Sequence, residues 1–98
     1  MGAVRPDLVD ALLALESRAE AEAFLRDLCT PSEVKALSER WLVARLLDEG
    51  KLSYREIAAL APASTATVTR VARFLKDMPY QGYRVVLDRL AKKKGLKR

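Results

Sequence analysis

The stretch Ser53-Tyr54-Arg55-Glu56-Ile57-Ala58-Ala59-Leu60-Ala61-Pro62-Ala63-Ser64-Thr65-Ala66-Thr67-Val68-Thr69-Arg70-Val71 decides the fold of this 98-residue chain. Ser53 with Glu56 three residues on makes a capping box, which opens a short helix ending near Leu60. Ile57 and Leu60 are expected to face inward, and Ala58 is small where two helices must approach. Pro62 disfavours helical geometry at Ala61, so the helix stops there. Ser64 then caps a second helix running to about Lys76, with Val68, Val71, Ala72 and Leu75 as its buried stripe. The segment 53–76 therefore reads as a helix-turn-helix.

The opposite face of that second helix presents Ala66, Thr69, Arg70 and Arg73, with Ser64, Thr65 and Thr67 at its N-terminal end. No acidic residue occurs from Ala61 to Lys76. Small side chains let a helix approach the floor of the major groove, hydroxyls bond bases or phosphates, and threonine methyls touch thymine. Arg55 on the first helix is placed to meet the backbone. An ordinary helical hairpin with a solvated polar face has the same local pattern, so charge has to discriminate.

Charge favours a polyanion. Residues 1–50 carry six Lys/Arg against ten Asp/Glu, and residues 51–98 carry twelve against three, so the halves hold −4 and +9 of the net +5. The tail 92–98 supplies five of the positive charges, and without it residues 51–91 still hold +4. A basic half beside an acidic half points to one face aimed at nucleic acid.

Outward from the motif, the punctuation is helical throughout. Pro6 and Asp7 open a segment patterned by Leu8, Leu12 and Leu15 and ending near Ser17. Ala19 to Leu28 is rich in alanine and glutamate, with Phe24, Leu25 and Leu28 on one face. Thr30, Pro31 and Glu33 form a strong start signal for a helix that ends near Glu49 and stops at Gly50. In that helix Val34, Leu37, Trp41, Leu42, Val43, Ala44, Leu46 and Leu47 spread over much of the circumference, so it is expected to be surrounded by protein. A second copy of the chain is the expected source of cover. After a break at Pro79, Tyr83, Val86, Leu87 and Leu90 pattern a final amphipathic helix. The fold class is all-α, with six helices in a single domain.

Composition excludes much else. No run approaches the roughly 18 apolar residues of a membrane span. No apolar stretch follows a basic start, so no signal peptide is expected. Cys29 is the only cysteine and histidine is absent, which excludes an internal disulfide and leaves no ligand set for zinc. Cys29 reads as a small buried residue in a protein of the reducing cytoplasm. The usual general base and nucleophile pairs are missing as well, and no enzymatic activity or cofactor is expected.

The runs Thr30-Pro31-Ser32-Glu33, Ala36-Leu37, Arg40, Leu46-Leu47, Ser53 to Ala58 and Ala66-Thr67-Val68-Thr69-Arg70 resemble the Trp repressor family. The resemblance runs without gaps from about Thr30 to Leu90, some two-thirds of the chain. It implies an intertwined six-helix homodimer whose recognition helices enter successive major grooves of double-stranded DNA. By position, Thr65, Ala66 and Thr69 face bases, and Tyr54, Arg55, Ala63 and Thr67 lie near phosphates. In that family the corepressor indole sits between two arginines, which match Arg40 and Arg70, and Thr30 matches a further pocket residue. The glycine and serine of that pocket are replaced here by Val71 and Phe74, so the resemblance implies a vestigial pocket and no response to tryptophan. Arg40 and Arg70 are then expected in ion pairs or phosphate contacts, and Trp41 in the core. The Ser64 to Val71 run, Gly82-Tyr83 and Val86 to Arg89 are most similar to the YerC/YecD branch, which has no assigned corepressor.

The expected function is sequence-specific transcription regulation, as a repressor. Two alternatives stay open at this point: a protein-interaction module using the acidic N-terminal half, and a non-specific DNA-binding protein dominated by the lysine tail.

Overall fold

The computed structural model describes residues 3–95, and the tail residues Leu96, Lys97 and Arg98 lie outside them. Six α-helices and no strand occur among the described residues: α1 Pro6–Ala14, α2 Arg18–Leu28, α3 Pro31–Glu49, α4 Tyr54–Leu60, α5 Thr65–Lys76 and α6 Gly82–Lys93. No helix among them is long and apolar enough to cross a membrane. The chain divides into two compact units, Met1–Lys35 and Ala36–Arg98, with the boundary inside α3.

In the first unit local signals set the helix starts. Pro6 occupies the first position of α1, where its missing N–H costs nothing. The Ser17 hydroxyl accepts from the Glu20 N–H at 3.1 Å and opens α2. Thr30 and Glu33 close a reciprocal capping box at the start of α3. The Glu33 N–H donates to Thr30 Oγ1 at 3.2 Å, and the Thr30 N–H donates to Glu33 Oε1 at 2.7 Å. No residue of α1 or α2 is buried. Cys29, at the C-cap of α2, is half-buried where the sequence predicts a buried residue, since it lies at the end of a helix that has no buried residue of its own.

The second unit holds the core. Val43 and Ala44 of α3, Ile57 of α4, Ala61 after it, and Val68 and Val71 of α5 are completely buried. Trp41, Leu42, Leu46, Leu47 and Leu52 pack against them. Gly50 ends α3 with a φ of +72°, a left-handed conformation that glycine adopts without steric cost. α6 rests on α5 through Leu87 and Ala91.

Three apolar positions depart from expectation. Leu60, expected inward, is exposed, because Ala61 takes the inward place at the end of α4. Ala61, four residues past Ile57, and Leu60, three past it, flank the same face on opposite sides, and the side of Ala61 is the one that the core covers. In α6 the buried residues are Leu87 and Ala91, whereas Val86 and Leu90 are exposed.

Candidate nucleic-acid interface

α4 and α5 are fixed at their starts by side chains. The Ser53 N–H donates to Glu56 Oε1 at 2.8 Å, and the Glu56 N–H donates to Ser53 Oγ at 3.1 Å. The Ser53 N–H bond to Oε1 favours the ionised carboxylate and, with a side-chain hydrogen bond from Ser53, holds the Glu56 pKa below its ordinary value against an opposing desolvation. The turn closes when the Ala63 N–H donates to the Ala58 carbonyl at 3.1 Å. The Thr67 N–H then donates to Ser64 Oγ at 3.0 Å, which makes Ser64 the cap of α5.

One side of α5 is consumed by the core, since Val68, Val71, Ala72 and Leu75 are its buried residues. Thr65, Ala66, Thr69, Arg70 and Arg73 are exposed, and Thr67 is half-buried. Ser64, Tyr54 and Arg55 are exposed, and Ala63 is half-buried in the turn. The hydroxyls are not equivalent. Ser64 and Thr67 bond one another at 3.0 Å, and Thr69 Oγ1 donates to the Thr65 carbonyl at 3.0 Å. Thr69 therefore offers its methyl and the hydroxyl's lone pairs outward, with its proton tied to its own helix.

Among the described residues, Arg40, Arg55, Arg70 and Arg73 make no ion pair. Asp7 bridges to Arg5, Glu22 to Arg26, and Asp48 and Asp88 to Arg84. Of the two expectations for Arg40 and Arg70, ion pairs or phosphate contacts, the first is not met among the described residues, and Arg70 lays its guanidinium over the Phe74 ring, 4.4 Å from the centroid. One helical turn separates the two residues, which is the spacing at which side chains on a helix meet.

Beside this face lies a cleft of about 570 Å³. Arg40 and Trp41 of α3, Arg70 and Phe74 of α5, the turn from Tyr80 to Tyr83, and Val86 form its walls. Trp41 stacks with Tyr83 at 6.4 Å between centroids and an interplanar angle of 27°. Trp41 serves both the core and the cleft wall, so its role is wider than the core packing expected of it. Val71 is in the core and not in the wall, so Phe74 is the substituted side chain that enters the cleft. Thr30 caps α3 in the other unit. Tyr80, Gln81 and Gly82 escaped the sequence reading, because their place in the wall depends on α6 packing back on α5. Gln81 also adopts a left-handed φ of +56°, with its side-chain amide donating to the Met78 carbonyl. Among the described residues, no group of three or more His, Cys, Asp or Glu side chains is placed to hold a metal ion.

The family model described as Trp repressor protein matches residues 6–91. The uncharacterized protein YerC of Bacillus subtilis is 40% identical over 83 residues, covering 85% of this chain and 78% of that protein. The Trp operon repressor homolog of Chlamydia trachomatis serovar D is 39% identical over 75 residues, covering 72% and 80%. A crystal structure of a TrpR-like protein from Eubacterium eligens superposes with a TM-score of 0.76 at 39% identity, over 94% of this chain and 90% of that one. A helix-turn-helix with these caps and this burial, matched over nearly the whole chain, leaves one conclusion: the chain belongs to the Trp repressor family of DNA-binding regulators.

Proposed function

We propose that the chain is a single DNA-binding domain that works as a homodimeric, sequence-specific repressor in the cytoplasm without tryptophan as corepressor. One observation carries the reading. The exposed side of α5 is free of carboxylates, and Arg55, Arg70 and Arg73 make no ion pair among the described residues. Cations left unneutralised on one reading helix and its supporting helix suit a phosphate backbone, while Thr65, Ala66 and Thr69 suit base edges.

Two further features support the finer parts. α1 and α2 bury none of their side chains, and Leu12, Leu13 and Leu28 stand exposed, which suits cover by a second copy. Phe74 lies in the wall of the cleft with Arg70 upon it, and no lining side chain is a carboxylate that would receive an amino acid's ammonium group.

The experiment is selection of bound fragments from a genomic library, followed by affinity measurements on enriched and unrelated duplexes. Enrichment of a shared, two-fold symmetric sequence is expected. Equal affinity for all duplexes would replace specific regulation by general DNA packaging. Absence of affinity at low salt would favour the protein-interaction module.

A further inference from the structure

We infer that Phe74 is a positioning residue for DNA binding: its ring holds the Arg70 guanidinium flat, so that the edge of the guanidinium is presented to a DNA phosphate as a preformed fork. The inference rests on reading α5 as the DNA-contacting helix.

The geometry supplies the argument. The Arg70 guanidinium carbon lies 4.4 Å from the centroid of the Phe74 ring. A guanidinium carbon this near the centroid lies over the ring face, where the ring quadrupole attracts the cation, and a planar guanidinium makes that contact best with its own face. Its five N–H donors point outward in the plane and are left for an anion. Among the described residues no carboxylate pairs with Arg70, so the chain itself supplies no anion for them.

A free arginine on a helix surface samples many rotamers and must give them up on binding. Phe74 is half-buried and fixed by its place between the helix and the cleft, so it restricts Arg70 before any ligand arrives. Restriction in the bound geometry raises affinity by lowering that entropic cost. A phosphate matches the planar fork, and every phosphate along a duplex is alike, so the contribution is independent of sequence.

The test compares the unaltered chain with five variants, DNA binding being measured over a salt series on a mixed-sequence duplex and on an enriched fragment. Arg70→Gln is expected to weaken both duplexes and to reduce the salt slope by about one. Phe74→Leu in the wild-type chain is expected to weaken both by about two- to fivefold, the range of an exposed cation–π contact. In the Arg70→Gln background the same change is expected to do nothing further. Ring fluorination of the phenylalanine at position 74 keeps its size and drains the ring face. It is expected to reproduce the loss, which a purely packing role would not do.

Equal losses from Phe74→Leu with and without Arg70 would overturn the inference, as would a fluorinated ring that binds DNA like the native one. An unchanged salt slope for Arg70→Gln beside a reduced slope for Arg55→Gln would also overturn it, while leaving the DNA-binding reading intact. Failure of the unaltered chain to bind any duplex at low salt would remove both.

Discussion

Arg84 near the start of α6 reaches Asp48 in the last turn of α3, with Nη2 2.9 Å from Oδ1, and also contacts Asp88 one turn along its own helix at 3.2 Å. The Asp48 side chain is 10% exposed and that of Arg84 is 37% exposed, so the pair is neither free in solvent nor sealed in the core. It joins the helix that ends at Gly50 to the helix that walls the cleft. Arg84→Ala leaves Asp48 partly desolvated, with a loss between that of an exposed pair and that of a buried one, about 1–2 kcal/mol. Urea unfolding should show a lower midpoint with an unchanged slope. An unchanged midpoint would show that Asp48 finds an equivalent partner without Arg84.

Thr69 and Arg55 should separate base reading from backbone contact. Thr69 has its hydroxyl proton bonded to the Thr65 carbonyl, so its methyl and lone pairs meet the duplex. Thr69→Ala is expected to alter the preferred sequence by about 1–3 kcal/mol at one base step while leaving binding to unrelated DNA nearly unchanged. Arg55→Ala is expected to weaken all duplexes alike and to flatten the salt slope by about one unit. Binding measured on a panel of single-base variants separates the two outcomes. No effect from either change would show that the reading face lies elsewhere.

Much of this arrangement was legible because the signals are local. Thr30 with Glu33, Ser53 with Glu56, and Ser64 before Thr67 each predict a helix start that the hydrogen bonds then display. The buried stripe of α5 follows from spacing alone, and all four of its members are buried. Leu60 illustrates the limit, since a small residue after the helix took the inward place that hydrophobicity assigned to leucine. The cleft shows another limit. Tyr80 and Gln81 carry no local motif and the pattern of Tyr83 marks only a helix, so it takes the return of α6 to bring them beside Arg40 and Arg70. Arg70 on Phe74 is an i, i+4 pair, so the spacing for the contact is present in the sequence, whereas the expectation for Arg70 is an ion pair or a phosphate contact.

Acidification should weaken α4 through Glu56. The bonds from Ser53 depress the native pKa of this carboxylate below its value in the unfolded chain. A proton is therefore bound more readily by the unfolded state, and the stabilisation is complete above the ordinary carboxylate range. It is lost as pH falls through the lowered native pKa, so the window opens at about pH 4 and extends downward. Thermal melts of wild type and Glu56→Gln should differ at neutral pH and converge in acid. A constant difference at every pH would locate the effect of the substitution outside the ionisation of Glu56.

The chain is expected to sediment as a dimer at micromolar concentration. α1 and α2 expose Val9, Leu12, Leu13, Leu25 and Leu28, and neither helix has a buried residue. Large exposed apolar surface of this kind marks an interface. Leu12→Glu with Leu13→Glu should shift the sedimentation toward monomer and reduce affinity for a symmetric DNA site. A folded wild-type monomer at that concentration would remove the homodimer from the reading.

Free tryptophan should neither bind tightly nor change DNA affinity. Arg40 and Arg70 both line the cleft, so two guanidinium groups are present where a planar ring would need them. Arg70, however, already has a ring on its face, that of Phe74 at 4.4 Å. An indole entering between the arginines must displace that contact, which opposes binding by about 0.5–1 kcal/mol. The ammonium group fares worse. The lining side chains are aromatic, aliphatic, amide or cationic, and none is a carboxylate. The Tyr80 and Tyr83 phenols and the Gln81 amide offer it neutral acceptors but no opposite charge, while Arg40 and Arg70 repel it, which adds to the opposition from the Phe74 contact. Titration calorimetry with L-tryptophan, run beside DNA binding with and without it, measures both consequences. A micromolar dissociation constant accompanied by tighter DNA binding would make the chain a tryptophan-responsive repressor. Phe74→Ser is the informative companion: it frees Arg70 and supplies a hydroxyl, and any gain in tryptophan affinity in that variant assigns the block to the Phe74 ring.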